Sequence, residues 1–265
     1  MKRLFALFSI MLLFAMTACT PGNGEVSRNY RVYKVSNYDS DDSLTSYDIY
    51  SYDSNNRLET DEYYNSSDEL QLSFGFTYDS SDRFSVASVY DSSSTLLAYG
   101  QCSYNGNGLL ETFMFYYLGY PYFYNVYSYD TDGFRLGGVT YTALNVLMSS
   151  WTMEYNANGL VEKVTFYDAS NNMTSYKIFD YDADGKMVTT WVYDSSDTLT
   201  TRSDLSYDSG GKLIKISTYE YSDDIAELKS YSTIEYESGS GNYNLTAQSG
   251  SLNDFYSVVS SILKK

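Results

Sequence analysis

Apolar and polar positions alternate along most of this chain with a period of two. In residues 70–78, Leu70, Leu72, Phe74, Phe76 and Tyr78 fall on one face, and Gln71, Ser73, Gly75 and Thr77 on the other. That period is the signature of a β-strand. The intervening residues are rich in Val, Ile, Thr, Phe, Tyr and Trp, which suit a pleated surface. Between such runs lie short clusters of Asp, Asn, Ser and Gly. Their side chains bond their own backbone or accept positive φ. Asp132-Gly133, Asn158-Gly159 and Asp184-Gly185 are strong hairpin signals. Connections this short join antiparallel neighbours, so the chain reads as a meander.

The turns recur. Tyrosine precedes a turn at Tyr38, Tyr52, Tyr64, Tyr78, Tyr90 and Tyr104, and again at Tyr155, Tyr167, Tyr181, Tyr193 and Tyr207. The spacing alternates 14 and 12, which gives a unit of 26 residues holding one long and one short strand. Both steps are even. The apolar residue after each turn and the tyrosine before the next are therefore expected to share one buried face on every strand. The opposite face is also half apolar, as in Val188, Thr190 and Val192. The expected fold is all-β: about 16 antiparallel strands in one twisted sheet rolled into a barrel or shell. A flat single-layer sheet is the alternative.

Two stretches break the rule. Within Thr112–Leu147, aromatics at Tyr116, Tyr117, Tyr120 and Tyr122 replace an acidic turn, and Ala143-Leu144-Asn145-Val146 replaces another. The segment is either a degenerate copy buried by its neighbours or an exposed aromatic patch. At the C-terminus, Leu252, Phe255, Tyr256, Val259, Ile262 and Leu263 recur at helical spacing behind Ser251. Residues 246–265 are expected to form a helical segment covering an end or edge of the sheet.

The N-terminus has its own logic. Lys2 and Arg3 precede an apolar run ending Met16-Thr17-Ala18-Cys19. Residues 1–18 read as a signal peptide. The Ala-Cys end resembles the bacterial lipobox, which implies lipidation of Cys19. Residues 19–29 then serve as a tether, and the repeat domain spans 30–245. Thr20 in place of Asp after Cys19 favours the outer membrane. With Cys19 lipidated, Cys102 has no partner for an internal disulfide and is expected to be a small buried apolar residue.

Composition narrows the chemistry. The chain carries 32 tyrosines, 2 prolines and no histidine, with a formal charge of −17. Such a surface repels nucleic acid and suits cationic partners or simple solubility. Without histidine there is no imidazole acid–base or metal chemistry. The acids crowd into turns, where a structural role suffices, so the chain is expected not to be an enzyme and to use no cofactor. Asp180-Tyr181-Asp182-Ala183-Asp184-Gly185 opens like a calcium loop, but the twelfth position is Trp191, where an EF-hand needs a bidentate acid. Asp180, Asp182 and Asp184 remain weak calcium candidates. Tyr117, Tyr120, Tyr122, Trp151 and Trp191 are candidates for stacking on a glycan or packing on a protein.

The turn sequences Tyr52-Asp53-Ser54-Asn55-Asn56-Arg57-Leu58, Tyr78-Asp79-Ser80-Ser81-Asp82-Arg83-Phe84 and Tyr181-Asp182-Ala183-Asp184-Gly185-Lys186-Met187 resemble the YD repeat of Rhs-type proteins. The resemblance covers roughly residues 30–240. It implies a continuous spiralling β-sheet, as a shell or a surface stalk, with no activity attached. The expected role is a lipid-anchored envelope protein, monomeric, whose sheet is a scaffold or binding surface for protein or glycan. The alternatives are a spacer without a ligand and a carbohydrate-active enzyme.

Overall fold

The computed structural model describes residues 28–223 and 225–241. The signal peptide, Cys19 with most of its tether, and the C-terminal helical segment lie outside the described residues. Sixteen strands follow in chain order. They are β1 (Arg28–Asp39), β2 (Leu44–Tyr52), β3 (Leu58–Asn65), β4 (Leu70–Tyr78), β5 (Phe84–Asp91), β6 (Leu96–Tyr104), β7 (Leu110–Tyr117) and β8 (Tyr120–Tyr129). The second half comprises β9 (Arg135–Thr142), β10 (Leu147–Tyr155), β11 (Val161–Asp168), β12 (Met173–Tyr181), β13 (Met187–Asp194), β14 (Leu199–Tyr207), β15 (Leu213–Ser222) and β16 (Ile225–Gly241). Each strand pairs antiparallel with its sequence neighbours, and β1 pairs with β16 to close a barrel. Closure removes both sheet edges. The meander and the rolled sheet match the sequence pattern, and the flat alternative is excluded.

Most hairpins turn in the same way. At Asp53 the main-chain N–H of Asn56 donates to the Asp53 carbonyl, and the Asp53 N–H donates to the Arg57 carbonyl. Asn56 takes φ 60°. This is a type I turn followed by a left-handed residue, a common three-residue hairpin loop. The Asp53 Oδ1 accepts the N–H groups of Asn55 and Arg57 at 2.9 Å, which is why an acid or amide stands first in the turn. The aspartates at 79, 91, 168, 182, 194 and 208 act in the same way.

The shared-face expectation fails, and the reason is a β-bulge after nearly every turn. Ser51 pairs with Thr60 but Tyr52 pairs with Leu58, so β3 carries one extra residue there. Tyr63 pairs with Leu72 but Tyr64 pairs with Leu70, so β4 does the same at its start. Each bulge inverts the alternation once. Leu58 therefore points inward and is buried, while Tyr64 at the other end of β3 points outward and stacks on Tyr47 at 5.0 Å. On β4 the order reverses, with Leu70 outward and Tyr78 inward. Even spacing kept the strands in step, but it did not keep the two anchors on one side.

The bulges also explain the inward tyrosines. The β3–β4 ladder ends at Thr60–Gly75, leaving the Leu58 carbonyl beyond its reach. The Tyr78 hydroxyl donates to that carbonyl at 2.9 Å. The same latch joins Tyr52 to Val32, Tyr104 to Phe84, Tyr129 to Leu110, Tyr155 to Arg135, Tyr181 to Val161, Tyr207 to Met187 and Tyr236 to Leu213. Arg57 lies over the Tyr78 ring at 4.4 Å, and Arg83 over Tyr104 at 4.3 Å. One turn motif thus contributes a capping acid, a latch tyrosine, a cation that covers the next tyrosine and a buried apolar residue. Tyr78→Phe should lower stability by about 1–2 kcal/mol by stranding a buried carbonyl, read as a fall in the urea midpoint at unchanged slope. An unchanged midpoint would mean that water serves the carbonyl equally well.

The core lies inside the barrel and is lopsided. Most inward side chains on β4–β8 are aromatic or aliphatic, with Phe84, Ala87, Val89, Phe113 and Phe115 completely buried and Asn125 a buried polar exception. On β10–β14 the inward Trp151, Phe166, Lys177, Val192 and Thr201 are only half-buried. Cys102 faces inward, half-buried and packed against the core.

Candidate functional site

The meander sorts its hairpins into two rims with different chemistry. One rim holds the turns after β2, β4, β6, β8, β10, β12 and β14. Both ends of the described chain are there too, since Arg28 pairs with Gly241. We call it the terminal rim. Its turns carry Arg57, Arg83, Arg135, Lys186 and Lys212 beside their acids. Several of these charges are spent locally: Arg57 pairs with Asp53 and Asp82 at 2.6 Å, and Arg83 with Asp79 at 2.7 Å.

The opposite, open rim holds the turns after β1, β3, β5, β7, β9, β11, β13 and β15. Among its described turn residues there are Asp39, Asp41, Asp42, Asp68, Glu69, Asp91, Asp168, Asp194, Asp197 and Asp223, and no Lys or Arg. Hydrogen bonds from Ser43 hold the Asp41 carboxyl below its usual range, and Ser93 and Thr95 do the same for Asp91. Some of these acids also take tyrosine hydroxyls: Tyr47 donates to Asp68 at 2.9 Å and Tyr231 to Asp42 at 2.8 Å.

Two adjacent tips of the open rim are apolar. After β7 the chain turns in two residues, Leu118 at φ 48° and Gly119 at φ 82°, where glycine supplies the second positive φ of a tight hairpin. Leu118 is 57% exposed, Tyr120 76% and Tyr122 47%. In the next tip, Leu144 is 86% exposed and Val146 59%, and Met148 follows at the start of β10. Main-chain bonds tie the tips together: the Leu118 N–H donates to the Leu97 carbonyl at 2.9 Å and the Ala143 N–H to the Tyr122 carbonyl at 3.1 Å. Leu96, 43% exposed at the start of β6, extends the surface toward the polar tip after β5. Both readings of the irregular stretch are thus partly right. Phe113, Phe115 and Phe123 are core, while the tips form an exposed apolar patch.

The other sequence candidates do not converge. Tyr117 is half-buried and faces inward opposite Ala98. Trp151 also faces inward, its ring set against Gly138, where a Cβ would lie 2.9 Å from it. Trp191 faces outward, donates its indole N–H to Asp180 at 2.7 Å, and lies under Arg202. The two tryptophans cannot share a ligand. Asp182 caps its turn through the N–H groups of Asp184 and Lys186, while Asp180 is engaged with Trp191. No group of three metal-ligating side chains assembles among the described residues.

Two inward features escaped sequence reading. Asp48 and Asp61 lie diagonally across β2 and β3 and are 0% and 1% exposed. Burial and the neighbouring Asp61 carboxylate push the Asp48 carboxyl well above its usual range. The pair is sealed from water, so no substrate reaches it in this structure. Lys177 points into the barrel opposite Val164 and Val192, and burial there pushes its ammonium down to about 8. A lysine on the inner face of a strand looks, in sequence, like any solvated one.

The outer belt carries charge on several strands. Lys34, Glu62, Lys163, Arg202 and Lys215 stand at outward mid-strand positions, several lying over tyrosine rings. A membrane-spanning barrel needs a continuous apolar band there, which these charged positions interrupt.

No family model matches the sequence, and no curated protein matches it. Among solved structures, a porin-like protein from Bacteroides uniformis aligns over 80% of this chain and 99% of that chain, with a TM-score of 0.56 and 10% identity. That likeness concerns the fold alone. The Photorhabdus luminescens Tc holotoxin pore aligns over 79% of this chain and 13% of that chain, at a TM-score of 0.30 and 12% identity. A DUF1329 family protein from Desulfovibrio piger aligns over 89% and 90%, at 0.25 and 8%. Scores that low carry no argument, including for the YD-repeat resemblance.

Proposed function

We propose that this chain is a lipid-anchored protein of the bacterial cell envelope, and that its barrel is a rigid, non-catalytic scaffold held by one rim and offering the other for binding a protein. The observation that carries this reading is the polarity of the barrel. The described chain enters and leaves at the terminal rim, and the contiguous apolar tips stand at the rim opposite. A tether from Cys19 to Arg28 holds the terminal rim toward the membrane and turns the open rim away from it. The charged outer positions at Lys34, Glu62, Lys163, Arg202 and Lys215 agree with a barrel that stands off the bilayer. A glycan platform has less support, because the tryptophans lie on opposite sides of the wall.

The anchor is tested by metabolic labelling with palmitate and by fractionation. The native chain should carry label and sediment with membranes, and Cys19→Ser should lose the label and leave the membrane fraction. A native chain without label would overturn the anchor.

A further inference from the structure

The open rim combines two properties that a partner must match together. Its tips at Leu118, Tyr120, Leu144 and Val146 are apolar and exposed. The tips on either side carry only carboxylates as charged groups, from Asp68 and Glu69 on one flank to Asp168, Asp194 and Asp197 on the other. The cations of the turns are all at the far rim, where ion pairs and tyrosine rings occupy them.

Resting on the reading of the open rim as a binding surface, we propose that its partner is a cationic amphipathic protein segment. Its apolar side chains cover the tips at 118–122 and 144–148, and its Lys or Arg side chains face the flanking carboxylates. The apolar tips supply affinity, since well-buried aliphatic and aromatic anchors dominate interface energies. The carboxylates supply steering and exclusion: they speed a cationic partner and reject an acidic one. A second copy of this chain meets acid with acid at the same rim, so self-association through it is disfavoured. An anionic lipid surface is disfavoured for the same reason.

The main-chain bonds at Leu118 and Ala143 fix the tips relative to one another. A partner therefore docks on a preformed surface and loses little to ordering it. The side chains themselves make few internal contacts. Leu144→Ser and Val146→Ser should leave the fold intact, as surface substitutions do.

The test uses the full chain purified in mild detergent, so it does not depend on how the protein is tethered. Two synthetic helical peptides share one apolar stripe, with lysine on the polar face of the first and glutamate on that of the second. Titration calorimetry should show binding of the lysine peptide alone, weakened by added salt. The Leu144→Ser/Val146→Ser double variant, with unchanged circular dichroism, should bind about tenfold more weakly or worse. Asp168→Asn/Asp197→Asn should shrink the salt dependence without abolishing binding. Equal binding of both peptides, or binding unaffected by the apolar double variant, overturns the proposal. So does sedimentation showing self-association, or flotation with anionic vesicles, that depends on Leu144 and Val146. A chain that fails the palmitate test yet binds the lysine peptide loses its anchor and keeps this surface.

Discussion

Raising the pH from 10 to 12 should unfold the barrel in one steep transition, with most inward tyrosines still un-ionised when it begins. Burial pushes the Tyr78 hydroxyl up to about 12, and the Tyr104 and Tyr181 hydroxyls higher still. In the unfolded chain all of them ionise near 10. A group raised on folding contributes stability that is complete below its unfolded pKa and is lost as pH rises toward the folded one. The window here therefore opens at about pH 10. A rise from 10 to 12 is worth about 2–3 kcal/mol for one tyrosine. A few latches of that size reach the whole stability of an ordinary domain, about 5–15 kcal/mol. Ionisation also removes the proton that each latch donates, so latch and fold fail together. Absorbance at 295 nm and circular dichroism should change together over the same steep interval. Gradual ionisation around pH 10 with unchanged dichroism would show that the inward tyrosines are not buried donors.

Asp48→Asn should stabilise the protein at pH 8 and make little difference at pH 3.5. The native Asp48 carboxyl is held well above its ordinary range, first by burial and then by the charge of Asp61. Below the unfolded value, near 3.9, both states are protonated and the residue costs little. As pH rises, the unfolded state sheds the proton while the folded state resists, and stability declines until the folded value is passed. Asparagine keeps the shape, accepts from Asn37 as the carboxyl does, and removes the proton equilibrium. It also relieves Asp61 of a like charge. The expected gain at pH 8 is about 1–3 kcal/mol, the usual scale for an unmatched buried polar group. Urea titrations of both proteins at pH 3.5 and pH 8 measure it. A loss at pH 8 would show that the ionised pair is itself satisfied, for instance by a bound cation.

The repeat made much of this architecture legible. Turn acids, left-handed Asn, Asp or Gly, and β-rich runs between them specify hairpins locally, and short connections leave only a meander. Closure between β1 and β16 depends on total twist, which no single repeat encodes, so barrel and shell looked alike. The face assignment failed for a sharper reason. Counting parity from Leu58 to Tyr64 assumes an unbroken ladder, and the extra residue beside Glu59 breaks it without leaving a mark in composition. The apolar tips at Leu118 and Leu144 were visible as departures from the pattern. Their adjacency on one rim, away from both ends of the described chain, appears only once the strands are ordered around the barrel. Asp61 was hidden because the bulge in β3 shifts it from the expected outer face to the inner one. Asp48 and Lys177 share parity with Tyr52 and Tyr181, but among many ordinary charges nothing in the sequence set them apart.

The account stands on a closed barrel, since closure creates two rims and sets them apart. Nuclear Overhauser contacts across the β1–β16 seam test it most directly. Val35 and Ile234 are paired, inward and buried, and the Tyr38 and Tyr231 rings stack at 4.9 Å outside them. The account predicts methyl contacts between Val35 and Ile234, with β1 amides exchanging as slowly as those of β7. Absence of those contacts, with rapid exchange along β1 and β16, would contradict it.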